Sequence, residues 1–235
     1  MKDVEDTLAK FLEMVRSNQL ANQSNHADWY AIIKTIDDCF VRGGANLVNP
    51  RHVMGGILFL RCQYAFKTAA GMALAGQITE VFVMLRSVLE YAGYALLIHD
   101  NAALQDVWLG RHVSPTEKRA QKVAFRISDV KSAVKRHDAR LGEIFDESYE
   151  RTIDFGGHPN PHAAFSAMHM DEDEGQTGLT VLAISNDVTV VQHALKSTAQ
   201  IGLTALHIFQ HVFSDKFEAL GIREAMEGLR ATGRL

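Results

Sequence analysis

The sequence predicts an all-α protein: a single bundle of seven to nine helices over residues 1–235, interrupted once by a short β-hairpin near residues 164–185. Apolar residues recur every three or four positions through most of the chain, which is the period of one helix face. Only four prolines occur in 235 residues, so long uninterrupted helices are expected. The chain has no internal repeat, low-complexity segment or linker, and we therefore predict one domain.

The apolar pattern in the first half of the chain predicts four helices. The first has apolar residues on one face, at Val4, Leu8, Phe11, Leu12 and Val15. The second ends at Gly43-Gly44, and Asn49-Pro50 begins the third. The third helix is rich in small residues, Gly71 among them, which predicts close packing on its successor. That successor, Gln77 to His99, is the most apolar helix of this half and is predicted to be central.

The second half begins with a capping box. Ser114-Pro115-Thr116-Glu117 predicts the start of a helix that continues to about His137, followed by another helix to about Phe155. Two short runs, Ala164–Met170 and Leu179–Ser185, flank an acidic loop and predict the hairpin. Asn186-Asp187 then caps a last long helix that continues to Phe213.

Composition narrows the function classes. The net charge of −4 excludes a globally basic surface, so any RNA contact is expected to be local, on the basic stretch from Lys118 to Lys135. Cys39 and Cys62 lack a metal-binding spacing and are expected in the core of a protein from a reducing compartment. The acidic opening MKDVEDTL has no apolar segment, and no membrane span is expected. We therefore expect a cytoplasmic protein.

The first candidate site is a charged pair on the most apolar helix. Arg86 and Glu90 are four residues apart and project from one face. Charges on such a face are partly buried and need partners, because burying an unpaired charge is costly. The pair is interpreted as a structural ion pair of the bundle, with a direct binding role as the alternative.

The second candidate is the stretch RTIDFGGHPNPHAAF, residues 151–165, which interrupts the helical pattern. An arginine and a histidine that converge there could cleave RNA without a metal. His158 would accept the 2′-hydroxyl proton, and Arg151 would bind the phosphate oxygens. Tyr149 and His162 are predicted as neighbouring binding residues. Alternatively the corner is structural, because Gly156-Gly157 ends the helix and Pro159 and Pro161 prevent its return.

A resemblance rests on these residues. The Arg-x3-Glu face, the tyrosine-containing helix and the His-Pro corner, about residues 79–162, resemble uncharacterised bacterial helical proteins related to the HEPN superfamily (higher eukaryotes and prokaryotes nucleotide-binding). The resemblance implies an Arg-x4-6-His ribonuclease site formed across a homodimer, often in toxin or phage-defence systems. Arg151 and His158 match that spacing at its upper limit.

The third candidate is a metal site. His207 and His211 are four apart on the last long helix, close to Gln200 and Thr204, and could share an ion, although no third ligand accompanies them. We do not favour a metal, and we predict no cofactor. The favoured function is a non-catalytic binding or interaction module with a structural Arg/Glu/His corner. The alternative is a HEPN-like ribonuclease or RNA-binding protein, and the predicted partner is accordingly RNA or another protein.

Overall fold

The protein is a bundle of α-helices, as predicted. The computed structural model describes residues 7–47, 53–157, 168–173 and 176–235. These residues contain eleven α-helices, more than the seven to nine predicted. They are α1 (Leu8–Asn25), α2 (Ala27–Ala45), α3 (Val53–Ala75), α4 (Ile78–Asp100), α5 (Leu104–Leu109), α6 (Pro115–Ala124), α7 (Ile127–His137), α8 (Ala139–Thr152), α9 (Val188–Val212), α10 (Ser214–Ala219) and α11 (Ile222–Ala231).

The helices α3, α4 and α9 form the centre of the bundle. Helix α4 packs against α3, α9, α7 and α8, and most of its apolar side chains are fully buried. By length and composition alone α4 could cross a membrane, but 61% of its most apolar window is buried inside the bundle. At Gly93 the α7 helix approaches so closely that a Cβ atom would lie 2.2 Å from Cγ1 of Val130.

The third helix packs most extensively on α4, as its small residues predict. Gly71 is not part of that contact, however. A Cβ atom at this position would meet the Gln19 side chain of α1 at 3.5 Å. The prediction of close packing on α4 was therefore right for the helix and wrong for this residue, because Gly71 lies on a different face.

The first helix is held by hydrogen bonds rather than by an apolar face. No residue of α1 is buried, and Leu8 is 72% exposed. Instead the side-chain amides of Asn18, Gln19 and Asn22 donate to carbonyls of the last turns of α3, at 2.8 to 3.2 Å. The last four carbonyls of a helix have no partner within it, so the amides of Asn18 and Asn22 satisfy two of them, those of Ala75 and Leu74. The apolar face predicted for this helix therefore adds no fully buried residue to the core.

The predicted helix from Ser114 to about His137 is two helices. The Ser114 hydroxyl accepts from the Glu117 amide at 3.1 Å, which confirms the capping box. The chain then bends at Phe125, where the backbone leaves helical geometry (φ −116°, ψ 42°). Because of this bend the buried Phe125 ring packs edge-on against Tyr94, with ring centres 4.9 Å apart. The apolar period had predicted one continuous helix, and the burial of the Phe125 ring accounts for the break between α6 and α7.

Two short strands follow the corner. The strands β1 (Met168–Asp173) and β2 (Gln176–Val181) pair antiparallel, with Met168 opposite Val181 and Asp173 opposite Gln176. The first strand includes part of the acidic run that was predicted as a loop, since β1 continues to Asp173. The predicted end of the hairpin was wrong, because β2 ends at Val181 and residues 182–185 are not in a strand. Residues 164–167 and 174–175 lie outside the described residues.

Candidate functional site

Three of the predicted site residues meet between α4 and α8. The Arg86 Nε donates to Oε1 of Glu90 at 2.9 Å. The Tyr149 hydroxyl, on α8, donates to the same carboxylate oxygen at 3.1 Å. The Arg86 guanidinium also lies over the Tyr149 ring, 5.2 Å from its centre. One carboxylate thus receives two donors, and the ring between them receives the positive charge on its face.

Lys131 of α7 also lies over the Tyr149 ring and extends this network. Its Nζ lies 5.5 Å from the centre of the Tyr149 ring. It also forms ion pairs with Asp146 at 3.1 Å and with Glu150 at 2.9 Å. Lys131 belongs to the stretch that was predicted as an RNA-binding face. Its ammonium group is instead paired with the two carboxylates of α8.

The electrostatics of the network favour a structural role. Burial raises the pKa of Tyr149 to about 12, and the nearby Glu90 carboxylate adds to the increase. Burial opposes the charge of Arg86, but its hydrogen bonds to Glu90 and Tyr149 outweigh that effect and raise its pKa. At neutral pH the tyrosine is therefore a neutral donor and the arginine is charged, which is the protonation that these hydrogen bonds require.

Arg151 faces away from this network. It follows Tyr149 by two residues, and two residues on a helix are about 200° apart. Its Nη1 donates to Oε1 of Gln200 on α9, at 2.8 Å. The structure therefore separates Arg151 from Arg86 and Glu90, and α8 presents these predicted residues to two different neighbours.

Arg151 lines a cleft of about 240 Å³ between α8, α9 and α11. The side chains of the cleft comprise three guanidinium groups, one carboxylate, several neutral polar groups and an apolar floor. Its lining residues are Arg140, Leu141, Ile144, Glu147, Ser148, Arg151, Gln200, Leu203, Thr204, His207, Arg230 and Leu235. Gln200, Thr204 and His207 follow one another at intervals of four and three, so α9 presents them as a polar stripe.

His207, one of the two metal candidates, lines this cleft. Burial lowers the pKa of His207 to about 4, and the positive charge of Arg230 lowers it further. Its Nε2 atom is buried and has no hydrogen-bond partner among the described residues. His207 is therefore a neutral imidazole at physiological pH.

The other metal candidate, His211, faces a different neighbour. Its ring centre lies 4.9 Å from that of His137 on α7, and His137 Nε2 lies 2.7 Å from Oδ1 of Asp100. Burial lowers the pKa of His211, and the nearby His137 contributes to the decrease. Within the described ranges, no group of three or more His, Cys, Asp or Glu residues has the arrangement of a metal site.

The predicted corner is described only at its beginning. After α8 a single π-type turn, Ile153–Gly157, ends the helix. Gly156 adopts φ +156°, and a Cβ atom there would lie 2.2 Å from the carbonyl oxygen of Thr79 in α4. His158 and His162 lie outside the described residues, so the Arg151–His158 pair stays a prediction.

No protein-family model, no curated protein and no solved structure matches the chain. The HEPN resemblance accordingly stays a prediction.

Two residues of the arrangement were not predicted as site residues. Arg230 is on α11, far along the chain from Arg151, and nothing in the local sequence distinguishes it from the other arginines of that helix. His193 on α9 packs against Phe155, with ring centres 5.4 Å apart. Burial lowers the pKa of His193, and the charges of Arg151 and Lys196 lower it further. The available signal was spacing: His193, Gln200 and His207 recur at intervals of seven on one helix face.

Proposed function

We propose that the protein is a non-catalytic binding module and that the cleft lined by Arg151, Gln200 and His207 is its ligand site. One observation carries the proposal. Arg151 points into a cleft between three helices and is paired there with a neutral amide rather than with a carboxylate. An arginine that stabilised only the fold would be expected to pair with an acid, as Arg86 does.

The different surroundings of the two faces of α8 support this proposal. Tyr149 is buried and contributes to the bundle, whereas Arg151 on the other side of the helix is half-buried beside open space. Pockets between the helices of a bundle are common ligand sites, lined by apolar side chains with a few polar groups that orient the ligand. One face of α8 is thus packed into the bundle, and the other face presents Arg151 to a ligand in the cleft.

A fragment screen by NMR tests the proposal. We expect fragments that bind to shift the side-chain amide resonances of Gln200, and the substitution Arg151→Gln to abolish those shifts while leaving the circular dichroism spectrum unchanged. The side-chain amide of Gln192, which lies in a separate open groove beside Trp29, serves as the reference. Fragments that shift Gln192 and never Gln200 would contradict the proposed site.

The alternative function is a metal-independent ribonuclease of HEPN type. It is favoured by the exposure of the Arg151 guanidinium to a cleft at the end of the helix that leads into the His-Pro corner. In that case Arg151→Gln and His158→Ala should each abolish RNA cleavage while the melting temperature stays nearly unchanged. Wild-type protein that leaves single-stranded and structured RNA intact in the presence of EDTA would count against this alternative.

Three further properties remain proposals from the sequence. They are a cytoplasmic location, a homodimeric assembly and a partner that is either RNA or another protein. If RNA binds, the exposed basic residues of α6 are favoured over α7, because Lys131 of α7 is already paired with Asp146 and Glu150. Sedimentation of the purified protein, alone and with RNA, would test the last two.

A further inference from the structure

The cleft of Arg151 combines several guanidinium groups with an apolar floor. It contains the guanidinium groups of Arg140, Arg151 and Arg230 and one side-chain carboxylate, that of Glu147, and the last residue, Leu235, also lines it. Arg140 is already paired with Glu143, at 2.9 Å. Within the described part of the chain, neither Arg151 nor Arg230 has a carboxylate within ion-pair distance.

We infer that the ligand of this cleft is a small oxyanion, a carboxylate or a phosphate carried on a short apolar body, and that Arg151 and Arg230 bind it from α8 and α11. The inference rests on the proposed function, since it names the class of ligand for the same site. Guanidinium groups recognise both anions through paired N–H donors, and a charge-assisted hydrogen bond is about twice as strong as a neutral one.

The dimensions of the cleft limit the ligand. Its volume of about 240 Å³ is below the roughly 300–1,000 Å³ that is usual for sites that hold drug-sized molecules. Leu141 and Leu203 are buried at its base, and Ile144 is half-buried beside them. A short aliphatic chain fits such a floor, whereas a dinucleotide or a long polar chain does not.

The hydrogen-bonding groups of the cleft agree with an anion. Gln200 presents its amide beside Arg151, with its carbonyl oxygen already accepting from the guanidinium. The amide nitrogen of that side chain is consequently the part that remains to donate. A donor of this kind next to two guanidinium groups suits an acceptor-only ligand such as a carboxylate.

Anion binding in the cleft should also change the protonation of the neighbouring His207 imidazole. His207 is surrounded by Arg230 of α11, Asp138 at the start of α8, and His211 and Gln210 of its own helix. An anion in the cleft would offset the positive charge of Arg230 and so favour the protonated imidazole. Binding of the anion should therefore be accompanied by proton uptake at His207.

Titration with matched small molecules tests the inference. Butyrate, its neutral isostere butyramide and inorganic phosphate are added separately to isotope-labelled protein, and the Gln200 side-chain amide and His207 ring resonances are followed. We expect butyrate and phosphate to shift both sets of resonances and butyramide to shift neither. With butyrate bound, the titration midpoint of the His207 ring should move to higher pH.

Two arginine variants of α11 provide the matched pair. Arg230→Gln should weaken butyrate binding by roughly tenfold or more, the usual loss on removing a charged donor. Arg223→Gln, on the same helix but paired with Glu227 outside the cleft, should leave the affinity unchanged. Both residues are exposed, so the fold should survive either change, which circular dichroism would verify.

The outcomes separate this inference from the proposed function. Equal shifts with butyrate and butyramide would keep the cleft as a ligand site and overturn the oxyanion class. Equal weakening by Arg230→Gln and Arg223→Gln would overturn the role of Arg230. If none of the three compounds shifts Gln200, the oxyanion inference fails, and the fragment screen then decides whether the cleft binds any ligand.

Discussion

The Tyr149 hydroxyl donates to Oε1 of Glu90 across 3.1 Å and so joins α8 to α4. The same oxygen accepts from Arg86, and Arg86 in turn lies over the Tyr149 ring. Each of the three side chains thus contacts the other two. Because the carboxylate would otherwise lose hydration without compensation, the tyrosine hydroxyl should contribute to stability as well as to packing.

Removing only that hydroxyl should destabilise the protein. We expect Tyr149→Phe to lower the free energy of unfolding by about 1–2 kcal/mol, because the partly buried Glu90 carboxylate would have one donor fewer. Urea unfolding followed by circular dichroism measures it. The control is Tyr64→Phe, whose side chain is 62% exposed and should change stability by no more than about 0.5 kcal/mol. Equal effects of the two changes would contradict the structural role of Tyr149.

Arg86 can be compared with an exposed pair of the same spacing. Arg86 and Glu90 are 23% and 32% exposed, whereas Arg223 and Glu227, also four residues apart, are 55% and 63% exposed. We expect Arg86→Met to cost about 1–2 kcal/mol, because Glu90 would stay partly buried without its cation. Arg223→Met should cost no more than about 0.5 kcal/mol. Thermal unfolding of both variants measures the difference, and a larger loss from Arg223→Met would refute this reasoning.

Gly156 should tolerate no side chain. Its φ of +156° is unfavourable for any L-residue, and a Cβ atom would lie 2.2 Å from the Thr79 carbonyl oxygen. We expect Gly156→Ala to cost about 2–4 kcal/mol, since both the backbone and its packing must change. In contrast, Gly228 of α11 has no atom within 4 Å of such a Cβ, and Gly228→Ala should stabilise by about 0.5–1 kcal/mol. Urea unfolding that ranks the two variants in the opposite order would show that the turn after α8 is not held against α4.

His207 should make the fold sensitive to acid. Its pKa in the folded protein is about 4, below the ordinary value of 6.5, so the unfolded chain binds a proton more readily. The resulting stability is fully present above about pH 6.5 and is lost as the pH falls through about 4, and it amounts to about 2–3 kcal/mol. Unfolding in urea at about pH 7.5 and about pH 4.5 measures it. His207→Gln should reduce this pH dependence; identical profiles for the variant and the unmodified protein would exclude His207 as its source.

Local sequence was sufficient for much of the secondary structure and for one part of the site. The period of apolar residues predicted the helices, because each helix must bury one face, and the spacing of Arg86 and Glu90 placed both charges on one face of α4. It also predicted that this pair would need further donors. Where the apolar period was not sufficient, as at α1 and at the break beside Phe125, the deciding interaction came from a distant helix: the amides of Asn18 and Asn22 reach α3, and Phe125 reaches Tyr94.

The sequence by itself determined the helical class, the central position of α4 and the charged pair on its face, since these depend on residues a few positions apart. The tertiary structure decided which partners the pair received and where Arg151 points. Tyr149 and Arg151 are neighbours in the chain, but helical rotation directs one to Glu90 and the other to Gln200. Arg230 joins the cleft only because α11 packs at its edge, and periodicity within one helix carries no information about which helix packs against it.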